Sequence, residues 1–403
     1  MPVSTFSAFR HRNFRIFFAG QSASVVGLWM HHIAQGWLVL ELTNSPFYVG
    51  LVGALTRIPI MLLSFYAGVV VDRVDKRHLM IVSQVISMSL AFLLAWLTYA
   101  ELVTVAHIMV ITLMIGVAIA FEIPARHAFV IELVGKEDLT NAVALNSSAF
   151  NASRIVGPAL AGTLIATLGV ALCFFLNGLS FVFALVALVR LRMTPAVRTQ
   201  RASSAWGELK EGLRFVGRHD RIFTVVQLVA VLALFAFPYE ILLPVIARDV
   251  MGRGAVAYGW MVSAAGVGAL VGALGLATVA SRVTRGKLIA VSGVLFGSSV
   301  LLLALARSMP LALVVLAGLG LAMVLTTSTA NTLLQALSPD RFRGRVMAVY
   351  NFAFLGLSPI GALLAGWLAE NYGVPPALVF GGTVVVLFTA LVVGRNKELL
   401  GTR

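Results

Sequence analysis

Residues Gly68-Val69-Val70-Val71-Asp72-Arg73-Val74-Asp75-Lys76-Arg77-His78 separate two long apolar runs, 47–71 and 79–100. All but Val74 of residues 72–77 are charged. Such a cluster cannot lie in hydrocarbon, so the stretch reads as a short polar turn between two membrane helices. A degenerate copy lies about half a chain downstream. Arg73, Val74, Leu79, Val82 and Ser83 recur as Arg282, Val283, Leu288, Val291 and Ser292, and Gly50 recurs as Gly259. A repeat of that length predicts two similar halves. The first copy keeps the acids Asp72 and Asp75, where the second has Ser281 and Thr284, so the halves share a fold but not every role.

Composition agrees with a chain built for lipid. Of 403 residues, 60% are hydrophobic and 11% charged, and mean hydropathy is +0.96. Ordinary soluble domains carry about 25% charged residues. The apolar runs do not alternate, which excludes a β-barrel. The single cysteine, Cys173, excludes a disulfide framework and a cysteine metal site. A spanning helix needs about 20 apolar residues. By that rule an all-α membrane protein with twelve spans is expected, at about 15–42, 47–71, 78–100, 104–126, 140–168, 170–191, 220–247, 255–280, 286–306, 310–337, 345–370 and 375–394. The expected division is an N-terminal six-helix bundle (1–191), a cytoplasmic linker (192–219) and a C-terminal six-helix bundle (220–403). In the linker Trp206, Leu209, Leu213 and Val216 fall on one helical face among Lys210, Arg214 and Arg218, the pattern of an amphipathic surface helix.

The 30 basic residues decide the orientation. With the N-terminus inside, 25 fall in inside segments, only Arg248, Arg253 and Arg307 fall outside, and Arg57 and Arg154 are intramembrane. This bias puts both termini in the cytoplasm of a multi-pass plasma-membrane protein. It also accounts for the net charge of +14 without a nucleic-acid partner.

Gly68-x3-Asp72-Arg73-x2-Lys76-Arg77 between the second and third of twelve spans resembles the loop signature of the major facilitator superfamily, with Asp75 where many members have Gly. Three further stretches are similar to the branch that includes enterobactin exporters, macrolide efflux pumps and lysophospholipid transporters. They are Leu42-Thr43-Asn44-Ser45-Pro46, Leu243-Pro244-Val245-Ile246-Ala247-Arg248-Asp249-Val250, and Asn151-x2-Arg154-x2-Gly157-Pro158-x2-Ala161-Gly162. The last resembles the Gly-Pro motif of antiporting exporters, carried here by Gly157, Pro158 and Gly162. The Arg-containing motif usual in the fourth helix is missing: that region reads Glu122-Ile123-Pro124-Ala125-Arg126. The resemblance implies two pseudo-symmetric six-helix bundles around a cavity, alternating access, and a gating loop of Gly68, Asp72, Arg73, Lys76 and Arg77.

Individual polar residues in the spans mark candidate sites, because charge in a membrane is expensive. Glu122 is either an i,i+4 partner of Arg126 or a proton-coupling carboxylate. Arg154 pairs with Glu122 or meets an anionic substrate. Glu240, between Pro238 and Pro244, sits where two prolines break the helix, as a coupling point or as the partner of an outer basic residue. Arg57 snorkels, pairs with Glu41, or faces substrate. Gln21, His31 and Gln35 in the first span, Asn151 in the fifth, and Asn331 and Gln335 in the tenth are cavity candidates; polar packing between helices is the other reading. Gly268-x3-Gly272 has the spacing of closely packed membrane helices.

Neither a nucleotide signature nor paired catalytic groups is present, so the chain is read as a non-enzyme with no cofactor and no metal. The expected function is a monomeric proton-coupled exporter of an amphipathic small molecule such as a drug or siderophore. The alternatives are an uptake symporter and a lysophospholipid flippase.

Overall fold

A computed structural model describes residues 6–191, 205–279, 283–395 and 401. Among them the chain is helical, without a strand. The helices are α1 (Arg12–Thr43), α2 (Pro46–Arg73), α3 (Lys76–Tyr99), α4 (Val105–Val134), α5 (Leu139–Leu168), α6 (Val170–Arg190), α7 (Ala205–Val216), α8 (Asp220–Val231), α9 (Tyr239–Val245), α10 (Ala255–Val279), α11 (Arg285–Leu305), α12 (Met309–Leu337), α13 (Asp340–Asn351), α14 (Ser358–Tyr372) and α15 (Val374–Arg395). Ten helical segments among the described residues are long and apolar enough to cross a membrane. Two of these, Asp220–Val250 and Asp340–Tyr372, each join several of the named helices. The other two expected spans, α1 and α5, are 32 and 30 residues long but fall outside that set, because polar side chains interrupt them along their length.

The fourth helix differs from expectation. It runs to Val134, two turns past Arg126, and ends where Gly135 turns to φ +70°. Glu122 therefore lies about 26 Å along a helix about 45 Å long, not at its end.

The fold divides into two compact units, Met1–Leu42 with Ile58–Ala202, and Thr43–Arg57 with Ser203–Arg403. In the first, Phe14 and Phe17 of α1, Met80 of α3, Phe129 of α4 and Leu188 of α6 form one buried core. Small residues let α1 approach its neighbours. A Cβ on Gly20 would lie 2.6 Å from Ala187 Cβ, and one on Gly157 would lie 2.6 Å from Trp29 Cβ. Gly157 thus gives the Gly-Pro stretch a packing role, and α5 stays continuous through Pro158.

In the second unit the seventh expected span is broken. α8 passes into a π-turn at Leu232–Ala236, α9 follows Pro238, and a second π-turn occupies Ile246–Val250. The wide first turn pushes carbonyls outward. Those of Ala233 and Leu234 face Gly361, and that of Phe235 faces Gly381, positions where a side chain would collide. α7 lies on α13: Arg345 pairs with Glu211 at 2.8 Å, and Phe215 stacks on Phe342 with centroids 4.3 Å apart.

Also in this unit, Glu370 of α14 caps the start of α2. Ser45 Oγ donates to its Oε2 at 2.7 Å, and the Phe47 backbone N–H donates to the same oxygen at 3.3 Å. A carboxylate suits a helix N-terminus, where free N–H groups and the macrodipole both favour negative charge. Glu370→Ala is expected to cost about 0.5–2 kcal/mol, read as a lowered midpoint in detergent thermal unfolding. Glu370→Gln should cost less, since the amide oxygen still accepts. Equal midpoints for wild type and Glu370→Ala would remove the cap from the account.

Candidate functional site

The polar loop that organises the sequence is built by three ties, all in the first unit. Asp75 is the N-cap of α3 and accepts from His78 N at 2.7 Å. Its acid is thus explained by local helix chemistry. Lys76 Nζ pairs with Glu132 of α4 at 2.5 Å, and Arg77 Nη2 donates to the Val189 carbonyl near the end of α6 at 2.8 Å. The loop therefore pins the start of α3 to α4 and α6. Glu132 was not singled out from the sequence. Its position two residues before Val134 is the signal that was available, once α4 is known to continue. Gly68 faces open space and Arg73 is exposed. Ser281 lies outside the described residues, as does the side chain of Asp72.

The N-terminal turn Ser7–Arg10 docks on the start of α5. Ala8 N donates to Asn141 Oδ1 at 3.0 Å, and His11 Nε2 meets Asp138 Oδ2 at 2.8 Å. The Ser7 hydroxyl and then His11 hold the Asp138 carboxyl below its ordinary range.

A cavity of about 660 Å³ opens between α1, α4 and α5 of the first unit. Phe17, Leu28, Val130, Val143 and Phe150 supply an apolar wall, and Gln21, Ser22, Arg126, His127, Asn146 and Asn151 supply the polar groups. Of the expected residues, the cavity brings together Gln21 and Asn151. Asn146, Ser147 and Arg126 join them, and of these Ser147 lies one turn N-terminal to Asn151 on the same helix face.

His31 and Gln35 are placed elsewhere. His31 Nε2 donates to Gln35 Oε1 at 2.9 Å, and Asn177 of α6 donates to Nδ1 at 3.3 Å, so both ring nitrogens are used in a buried helix contact. Arg154 is buried, with its guanidinium 5.7 Å from the Trp29 ring centroid. Arg57 is half-buried on α2. In the second unit, Gln335 Nε2 donates to Asn331 Oδ1 at 2.6 Å along α12, and Glu240 opens α9 between the two π-turns.

Glu122 is buried. Its partner is Gln84 of α3, whose Nε2 donates to Oε1 at 3.4 Å, and among the described residues no ion pair joins Glu122 to Arg126. An acid removed from water with only a neutral amide beside it is a costly arrangement. Glu122 itself does not line the cavity; Ile123 and Arg126 on the same turn of α4 do.

The family profile described as transmembrane secretion effector matches residues 3–399. The chain belongs to that family. It is a major facilitator transporter, a multi-pass membrane protein and not an enzyme. It is 24% identical to the staphyloferrin A transporter of Staphylococcus aureus over 96% of both chains. It is 27% identical to the multidrug efflux pump Tap of Mycolicibacterium fortuitum over 85% of both. The fold matches a bacterial homolog of the human lysosomal transporter Spinster in an inward-facing, unoccupied conformation, with a TM-score of 0.76, 12% identity and 98% coverage of both chains.

Proposed function

We propose that this transporter is a secondary active exporter that exchanges protons for an amphipathic small molecule by alternating access. The observation that carries the reading is Glu122: a buried carboxyl, held by a neutral amide, on the helix turn whose Ile123 and Arg126 line a cavity with apolar and polar walls. Proton exchange on such a group needs no cofactor and no metal. The name of one relative, a multidrug efflux pump, supports export. In this reading α1 and α5, the first and fifth spans, bring the ten spans to twelve and are less apolar because they border the cavity. Both termini are cytoplasmic in the plasma membrane, the transporter works as a monomer without nucleic acid, Asp72 acts in the inner gate, and Glu240 is the second candidate for the proton.

Inside-out vesicles carrying the protein should take up an amphipathic dye when their lumen is made acidic, and a protonophore should abolish that uptake. Uptake indifferent to the gradient, or driven only by the opposite gradient, would refute proton-coupled export.

A further inference from the structure

The cavity carries a charge that the fold does not use. Arg126 lines it, half-buried, and no carboxylate does. Glu122, one turn away, is engaged with Gln84, and no ion pair or hydrogen bond within the described residues engages Arg126. His127 beside it adds no negative charge, and Asp138 is turned to Ser7 and His11. A guanidinium at the edge of a low-dielectric cavity attracts anions strongly, and its planar donor fork fits a carboxylate or phosphate in a bidentate way.

A second, independent feature points into the same space. Gln21 is 6% exposed, lines the cavity, and its Nε2 has no hydrogen-bond partner; the Ser22 hydroxyl on the same wall is also buried and without one. Buried donors without partners are rare and costly. Across from them, Phe150 and Val143 present exposed apolar side chains. The site therefore offers one cation, unspent donors and a hydrophobic wall, with no negatively charged side chain in its lining.

We infer that the cavity between α1, α4 and α5 selects amphipathic anions, with Arg126 as the specificity-determining residue, Gln21 and Ser22 as supporting donors, and Phe150 and Val143 against the apolar part. This rests on the export reading for the direction of transport but not for the chemistry of binding. Such an anion is either a water-soluble organic acid or an anionic single-chain lipid, and the two share a charged head and an apolar body.

The test is equilibrium binding, without any proton gradient, to the full chain in phosphatidylcholine nanodiscs. The probes are 4-phenylbutyrate, 4-phenylbutanol, 4-phenylbutylammonium and lysophosphatidylglycerol, followed by calorimetry. At least one anion should bind about tenfold or more tightly than the neutral and cationic probes. The tighter of the two anions identifies the source. Arg126→Gln should bring the preferred anion down to the level of the alcohol, Arg126→Lys should retain most of the preference, and Gln21→Leu should weaken anion binding about threefold to tenfold. The charge ranking in wild type decides the matter even if a variant folds poorly. An anion no better than the alcohol or the ammonium, including no anion binding at all, overturns the inference, as does an Arg126→Gln protein that keeps the full preference. Because export is read separately in vesicles, anion preference without gradient-driven efflux would refute the export reading alone, and efflux without anion preference would refute this one alone.

Discussion

Gly268→Leu is expected to abolish accumulation of folded protein, whereas Gly275→Leu on the same helix leaves expression and melting close to wild type. The difference lies in what each position faces. A Cβ on Gly268 would fall inside the van der Waals radius of the Ala317 carbonyl of α12, and one on Gly320 of α12 would meet the Ala265 carbonyl of α10 in the same way. Gly272 continues the seam, with the Leu321 carbonyl 2.8 Å from where its Cβ would stand. Gly275 has nothing within 4 Å. The obstacle at Gly268 is backbone on both sides, so no side chain can rotate away and the two helices must separate. Overpacking ordinarily costs about 1–3 kcal/mol where side chains can yield; here the α10–α12 contact itself is lost, against a net domain stability of only about 5–15 kcal/mol. In lipid no hydrophobic force replaces it, because helix association rests on close packing. Gly268→Ala carries the same Cβ, so it too must part the helices, by less than Leu does, and should show a sharply lowered yield and melting temperature. Fluorescence-detected gel filtration followed by thermal unfolding in detergent reads all three. If Gly268→Leu and Gly275→Leu behave alike, the two backbones do not meet there.

That seam was legible in the spacing Gly268-x3-Gly272, because close packing is written in residue size on a single helix. Its partner Gly320 was not, since spacing within one helix says nothing about which neighbour answers it. The same limit governs the polar residues. The stripe Gln21, His31, Gln35 is correctly helical, yet the cavity takes Gln21 while Asn177 on α6 takes His31. One stripe faces two surroundings along a helix of 32 residues. The end of α4 was misplaced because a charged residue, Arg126, was read as a boundary. The actual stop is a backbone signal, the positive φ of Gly135. With that end at Val134, Glu122 lies in the interior of the helix, and Glu132 pairs with Lys76 of the loop. The prolines of the seventh span announced a break but not its form: the first π-turn depends on glycines at 361 and 381 that leave room for the displaced carbonyls.

Glu122→Gln is expected to reduce gradient-driven uptake in inside-out vesicles to background, a loss of more than about tenfold, while substrate binding and melting temperature stay near wild type. The fold should tolerate the change because the partner is neutral. Gln84 Nε2 donates to Oε1 at 3.4 Å, and the oxygen of an amide at position 122 can accept that bond as the carboxylate does. The added amide N–H₂ has the Gln84 Oε1, now without a hydrogen-bond partner, within the same pair. What the amide cannot do is exchange a proton, so the cost falls on coupling rather than on structure. Two further measurements separate coupling from damage. Exchange of labelled for unlabelled substrate with no gradient should persist in Glu122→Gln, since no net proton movement is needed. Glu122→Asp should regain part of the gradient response, because an acid is restored one methylene shorter. Glu240→Gln supplies the comparison: it opens α9 at a break in the helix, and loss of gradient dependence there with full dependence retained in Glu122→Gln would transfer the proton to Glu240. Gradient dependence intact in both would leave neither carboxylate as the carrier and would turn the search to sodium.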